Sequence, residues 1–308
     1  MSRRLRVAIV GAGNVGAVLG RLLREGGSSV SAVVSRSTAS ARRAASFIGC
    51  RRYGDGIGVI PAETDIVFLA VPHAAVSRVA GALASSEELP LERMAVCHAS
   101  GMLGADILAP AAERGAITFS FHPLQTFPRA FSPRHILPSA RGIWYGIDGP
   151  APGLRKARLL ARALGGRTIL VPPAERELYH AACVVASNHL TALLAALEEM
   201  HAAVGATGGR GLEPYGPILR STLANVLRTS PGEALSGPVA RGGVETVARH
   251  IESVRRACPG LLPYFARMTQ ETIRLADRSG TLPRDRRVAM EALLESIPGI
   301  AHISGLTQ

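Results

Sequence analysis

Lysine is all but missing from this sequence. Of its 35 basic residues only Lys156 is a lysine; the rest are arginines. Lys156 sits in PGLRKARLLARALGG, an amphipathic run whose charged face belongs in solvent, so chemistry built on a lysine proton donor is not expected. Aromatic residues supply only 4% of the chain. The arginines are scattered rather than gathered on one face, so the net charge of +12 is compositional and no nucleic-acid partner is expected. Cys50, Cys97, Cys183 and Cys258 stand far apart, with no CxxC pair and no metal-ligand spacing. A metal site is therefore not expected, and a reducing, cytoplasmic setting is. The N-terminal residues lead almost directly into a strand-like run, so no signal peptide is expected. The most apolar long segment, YHAACVVASNHLTALLAAL, is interrupted by His, Ser and Asn, which argues against a membrane span.

What is present is an alternation. LRVAIV, SVSAVVS, TDIVFLAV, RMAVCHAS, GAITFSF, RGIWYGID and GRTILVP read as strands over residues 5–172. Helical runs separate most of them, which is the pattern of a doubly wound parallel sheet. After Val171-Pro172-Pro173 only helical stretches follow, at roughly 174–203, 213–229, 243–257, 260–278 and 284–295. The expected organisation is an α/β domain over 1–172 and an all-helical domain over 173–308.

VAIVGAGNVG carries Gly11, Gly13 and Gly16 between a strand and a helix, with a second strand following. That context makes GxGxxG a dinucleotide fingerprint. Gly11 permits the tight turn, Gly13 a close approach of the pyrophosphate, and Gly16 close helix–strand packing. Ala12, Asn14 and Val15 complete the turn and the helix start, where N–H groups face the phosphates. An NAD site needs an acid at the end of the second strand. Here that place reads Ser35-Arg36-Ser37, with a guanidinium and hydroxyls suited to a 2′-phosphate, so NADP is the expected cofactor. Ligands of open parallel sheets lie beyond the carboxyl ends of strands. That adds Val71, Pro72 and His73 from one turn, and Ser100 and Gly101 from the next.

VAIVGAGNVG, VPHAAV, HASG, FHPLQTF, HAACVVASNHLTALL and GPVARGG together resemble the Rossmann-like oxidoreductases that carry a C-terminal helical domain of unknown function. That group is related to pyrroline-carboxylate reductases, deazaflavin-dependent NADP reductases and 6-phosphogluconate dehydrogenase-like enzymes. It includes alternative ketopantoate reductases. The resemblance covers nearly the whole chain and implies that the first helix of the second domain faces the nicotinamide. Counted at 100° per residue, that helix gathers His180, Ser187 and Thr191 on one face with Asn188 beside them. The related β-hydroxyacid dehydrogenases have Lys-x-x-x-Asn here; Asn188 matches the asparagine, but Val184 stands in place of the lysine.

The expected activity is NADPH-dependent hydride transfer to a small carboxylated carbonyl or imine, with ketopantoate to pantoate the most specific candidate. His122, in TFSFHPLQTFP, or His180 would supply the proton. Ser187 and Asn188 would orient the carbonyl. Gln125, Thr126, Thr191 and His250 would line the substrate side, and Arg241 would grip the carboxylate. A homodimer through the apolar helix is expected. The competing reading is a non-catalytic NADP-sensing regulator.

Overall fold

Val7, Ala8, Ile9 and Val10 are all buried, as a strand sandwiched between two helical layers requires. The computed structural model describes residues 4–205 and 210–297. The chain forms two compact units, Met1–Ser187 and Asn188–Gln308.

The first unit contains, in chain order, β1 (Arg6–Val10), α1 (Asn14–Glu25), β2 (Ser29–Val34), α2 (Thr38–Ile48) and β3 (Tyr53–Gly54). Next come β4 (Ile66–Leu69), α3 (His73–Ala84), β5 (Ala95–His98), α4 (Ala109–Glu113) and β6 (Ile117–Pro123). It closes with α5 (Pro133–Ile136), β7 (Trp144–Asp148), α6 (Ala151–Ala163), β8 (Arg167–Leu170) and α7 (Arg176–Val184). One sheet holds all eight strands in the order β3-β2-β1-β4-β5-β6-β7-β8. Side chains alternate across it. Val7 and Ile9 pack with α1, α2 and α6 on one face; Ala8 and Val10 pack with α3 and α4 on the other. Strand order reverses between β1 and β4, which opens a crevice at their carboxyl ends.

Two features differ from the sequence expectation. The two-residue strand β3 joins the edge of the sheet, and β7 runs antiparallel to β6. The segment between β6 and β7 holds only the four-residue α5 and a single 3₁₀ turn. That is too little to cross back over the sheet, so the chain re-enters beside the end it left. β8 then follows α6 and lies parallel to β7.

The boundary also differs from the expected 172/173. Pro172-Pro173 does end the last strand, but α7 packs onto β6 and β7, so the units divide at Ser187/Asn188. The chain continues through a π-helical turn at Val185–His189 into the second unit. That unit comprises α8 (Leu190–Val204), α9 (Gly216–Arg228), α10 (Pro231–Ala234), α11 (Val244–Ala257), α12 (Leu262–Arg278) and α13 (Arg284–Glu295). Val247, Ile251, Ala266, Ile273, Met290 and Leu294 form its core. The last eleven residues of the expected second domain lie outside the described residues. The helical run Pro173–Val204 has a mean hydropathy of 1.4 in its most apolar window and is long enough to cross a membrane by length and composition. Its Leu178, Val185, Leu190 and Val204 are exposed.

Candidate active site

The glycine turn sits at the reversal of strand order. Gly11 has φ +118°, and a Cβ there would lie 2.3 Å from the Ala70 carbonyl oxygen, so only glycine lets β1 and β4 close together. At Gly16 a Cβ would meet the Gly11 oxygen at 2.1 Å, which fixes how closely α1 leans on the turn. At Gly13 it would meet nothing within 4 Å. The open space therefore lies over the middle glycine, where a pyrophosphate needs it. Helix α1 has no side-chain cap on its N-terminus and no acid in its first turn, leaving its positive end suited to an anion. Ala12 packs against the core beneath. The Asn14 side chain turns elsewhere and donates to the Pro128 and Phe131 carbonyls at 2.7 and 3.1 Å, tying down the segment after β6.

At the end of β2, Ser37 caps α2 by accepting from the Ser40 N–H. Its hydroxyl also donates to Ser40 Oγ at 3.0 Å, and Arg43 donates to the same oxygen at 3.0 Å. Arg36 is exposed beside the half-buried Ser35. The fold thus adds Ser40, which links Ser37 to Arg43 one helical turn further on. It also brings in a carboxylate from beyond β3: Asp55 accepts from Thr38 Oγ1 at 2.9 Å.

A cavity of about 290 Å³ opens at the ends of β1, β4 and β5. Val15, Ala70, Val71, His73, Ala99, Ser100, Gly101, Met102 and His180 line it. Five predicted cofactor residues are among them, together with one predicted catalytic histidine. Pro72 is the N-cap of α3, and His73 is its first residue. The turn carrying Ser100 and Gly101 is shaped by His98, which the sequence reading passed over. His98 is fully buried; its Nε2 pairs with the Gly104 carbonyl at 2.9 Å, and its Nδ1 accepts from the Ser100 N–H at 3.2 Å. Burial holds its pKa below the ordinary histidine value.

The antiparallel pairing of β6 and β7 builds the rest. Ser120 stands opposite Asp148, and His122 opposite Gly146. With a side-chain period of two, these four positions share one face. Helix α7 meets that face with Arg176, Tyr179 and His180, spaced to lie on one side of a helix. Arg176 Nη1 donates to Asp148 Oδ2 at 2.6 Å, with both side chains under 5% exposed. Asp148 also accepts from Ser120 Oγ and from the Ala105 N–H, each at 3.0 Å. Arg176 Nη2 reaches the Ser100 carbonyl at 3.4 Å. The buried pair therefore ties α7, β6, β7 and the cavity wall together.

One helical turn on, the Tyr179 hydroxyl lies 2.8 Å from His122 Nδ1. The rings of His122 and His180 are 6.2 Å apart. Gly101 lies between them: a Cβ there would fall 2.7 Å from His180 Cδ2 and 3.0 Å from His122 Nε2. Burial, helped by the charges of His180, Arg176 and His98, lowers the His122 pKa from 6.5 to about 4. Burial raises that of Tyr179, and neighbouring Cys183 adds to the rise.

The other predicted residues either bond within their own segment or belong to the second unit. Gln125 closes on its own segment: its amide nitrogen donates to the Ser139 carbonyl at 2.5 Å and its oxygen accepts from the Thr126 N–H at 2.7 Å. Thr126 is exposed and its hydroxyl donates to that same oxygen. The Ser187 hydroxyl donates to the Cys183 carbonyl at 2.8 Å, inside its own helix. The π turn closes wider i→i+5 bonds, so the 100° count that aligned His180 with Ser187 and Thr191 does not carry through it. Asn188, Thr191, Arg241 and His250 belong to the second unit, and all four are exposed. Arg241 lies on the turn ahead of α11, and His250 on α11 itself.

Residues 1–123 match the Rossmann-like domain, and residues 143–272 match the domain of unknown function DUF2520. The chain joins a Rossmann-like domain to a DUF2520 domain. No curated protein matches it in sequence. Among solved structures it is similar to a candidate NADP oxidoreductase from Bacteroides fragilis, 17% identical with a TM-score of 0.67, over 88% of this chain and 98% of that one. A pyrroline-5-carboxylate reductase from Coxiella burnetii is 14% identical with a TM-score of 0.59, over 94% and 99%. A reductive aminase from Aspergillus terreus, in complex with NADPH and ethyl-5-oxohexanoate, is 16% identical with a TM-score of 0.55, over 95% and 93%. At these identities the likeness is one of fold.

The two matches part between β6 and β7. Gly101, Ser120 and His122 belong to the Rossmann-like match, while Gly146, Asp148, Arg176, Tyr179 and His180 belong to the DUF2520 match. The histidine cluster is therefore assembled across the seam. Arg176, Tyr179, Gly146 and Asp148 escaped the sequence reading. The spacing of Arg176, Tyr179 and His180 on one helical face was visible, but their partners on β6 and β7 were not.

Proposed function

We propose that this chain is an NADPH-dependent reductase acting on a small carboxylated substrate, with reduction of ketopantoate to pantoate the leading candidate. An imine or another 2-oxo acid is the second candidate. The observation that carries this reading is the placement of Gly101 between two imidazoles on the wall of a cavity that Val15, in the first turn of α1, also lines. The similar folds of a candidate NADP oxidoreductase and of a reductive aminase in complex with NADPH support the class.

Bound NADPH would supply the hydride. Gly13 and the start of α1 would hold its pyrophosphate, and Ser35, Arg36 and Ser37, with Ser40 and Arg43 behind them, its 2′-phosphate. At neutral pH the His122 imidazole is uncharged, so it serves as a hydrogen-bond donor to the oxygen or nitrogen that gains electrons rather than as the acid itself. That leaves His180, which lines the cavity, to pass the proton. Arg241 is the candidate for the substrate carboxylate, and Asn188 and Thr191 for its carbonyl. Gln125, Thr126 and Ser187 are assigned to holding local backbone. A second copy of the chain would cover the exposed apolar residues of Pro173–Val204, giving a homodimer.

The test is an NADPH-oxidation screen with ketopantoate, pyrroline-5-carboxylate and simple 2-oxo acids. Turnover of one of these supports the class. Activity that excludes ketopantoate would remove the specific assignment. Tight NADPH binding with no turnover of any would favour a cofactor sensor.

A further inference from the structure

Gly146 is the cross-strand neighbour of His122, and its missing side chain has a definite occupant. A Cβ built on Gly146 would lie 2.2 Å from the Tyr179 hydroxyl oxygen and 2.7 Å from the ring carbon bearing it. The phenol thus enters a slot that only glycine leaves open, and there it meets His122 Nδ1 at 2.8 Å. The rings of His122 and Tyr179 stand at 88° with centroids 5.6 Å apart. Both groups are held from behind. The Arg176–Asp148 pair seats α7 one turn before Tyr179, and β6 holds His122 by its pairing with β7.

We propose that Tyr179 is a positioning residue for His122, selecting the imidazole tautomer with the proton on Nε2 and directing that N–H toward Gly101. The reasoning is chemical. In a neutral imidazole one ring nitrogen donates and the other accepts, and the partner of the first decides which. An sp² ring nitrogen accepts a hydrogen bond better than a phenol oxygen does, and a phenol O–H is a good donor. The buried hydroxyl also keeps its proton, since its environment disfavours the phenolate. So Tyr179 donates to Nδ1, and the imidazole proton resides on Nε2. That nitrogen faces the space where a Gly101 side chain would be. A wrong tautomer would present a lone pair to the reacting oxygen and repel the negative charge that grows there.

The catalytic part of this inference rests on the reductase reading; the tautomer itself does not, and the experiment separates the two. Long-range ¹H–¹⁵N spectra of the histidine side chains, recorded at pH 7 with NADPH bound, read each tautomer directly. His122→Asn identifies the His122 signals by their disappearance. The wild type is expected to show His122 wholly as the Nε2–H form. Tyr179→Phe, which keeps the ring packing, is expected to give a mixture of tautomers. Gly146→Ala, which keeps the phenol but closes its slot, is expected to do the same. With whichever carbonyl or imine of the screen is turned over, both variants should lower kcat about tenfold with little change in the KM for NADPH. An Nδ1–H tautomer in the wild type, or an unchanged Nε2–H signal in Tyr179→Phe, would overturn the proposal. So would an altered tautomer with unchanged kcat. A wild type that turns over nothing yet shows the Tyr179-dependent tautomer supports the pairing and removes the reductase reading instead.

Discussion

Acid should destabilise the sheet-containing unit through His122, and the size of the effect follows from its surroundings. The imidazole titrates near 6.5 when solvated and near about 4 in the folded chain. Between those values the unfolded chain binds a proton that the folded chain refuses, so stability falls as the pH falls. The full gap corresponds to about 3.5 kcal/mol, at about 1.4 kcal/mol per pH unit. Most of it is lost early: going from pH 7 to pH 5 removes about 2 kcal/mol, because the unfolded form is already protonated there and the folded form is not. The single tryptophan, Trp144, is the first residue of β7, so its fluorescence reports this unit without a label. Urea unfolding followed at Trp144, at pH 7 and pH 5, should show the wild type losing about 2 kcal/mol more between the two than His122→Asn does. Asparagine can still accept from Tyr179 but does not titrate. His98, whose pKa is also lowered, is present in both proteins and cancels. If the variant loses as much stability as the wild type over this interval, His122 is not held neutral by the fold, and its assignment as a donor rather than an acid fails with it.

Three other outcomes are expected. Arg176→Met should cost about 3–5 kcal/mol, because it leaves Asp148 buried without its cation; thermal unfolding read at Trp144 should fall by roughly 10 °C or more. Arg36→Gln should weaken NADPH binding about tenfold or more while leaving NADH nearly unchanged, the loss of one charged hydrogen bond to a phosphate; isothermal titration with both cofactors measures it. Gly101→Ala should cut turnover with little effect on Tm, since the atoms nearest the added methyl are edges of the His122 and His180 rings, which can move at the cost of their alignment.

The parts of the molecule that were legible in the sequence are those whose constraint is local. Gly11, Gly13 and Gly16 are legible as a turn because a strand, three glycines and a helix start fall within a dozen residues, and Gly11 and Gly16 each answer a steric demand of their neighbours. The helices after residue 173 are legible because an apolar face repeats every turn. The direction of β7 was not, because strand polarity depends on the path of the connector 124–143, and nothing in RGIWYGID distinguishes a strand that runs up from one that runs down. The π turn was not either: it changes the phase of a helix without leaving a compositional mark, so a uniform 100° count from His180 does not carry past Val185–His189.

The missed residues share one cause. A proline pair marks where the backbone changes character, so Pro172-Pro173 reads as a boundary. Packing obeys a different constraint, that a buried carboxylate needs a cation. Asp148 is placed on the inner face of β7 by its pairing with Ser120, and the chain after β8 supplies Arg176 to answer it. Once Arg176 is fixed, the helical rise carries Tyr179 to the slot over Gly146 and His180 to Gly101. A cut after residue 172 would therefore remove more than a second domain: it would strip the sheet of the guanidinium that neutralises its own buried acid, and of both groups that meet His122. The strand-pairing error and the missed residues are thus linked. Reading β7 as parallel separates Gly146 from His122 and Asp148 from Ser120, and with those pairs apart nothing in the first 172 residues calls for α7.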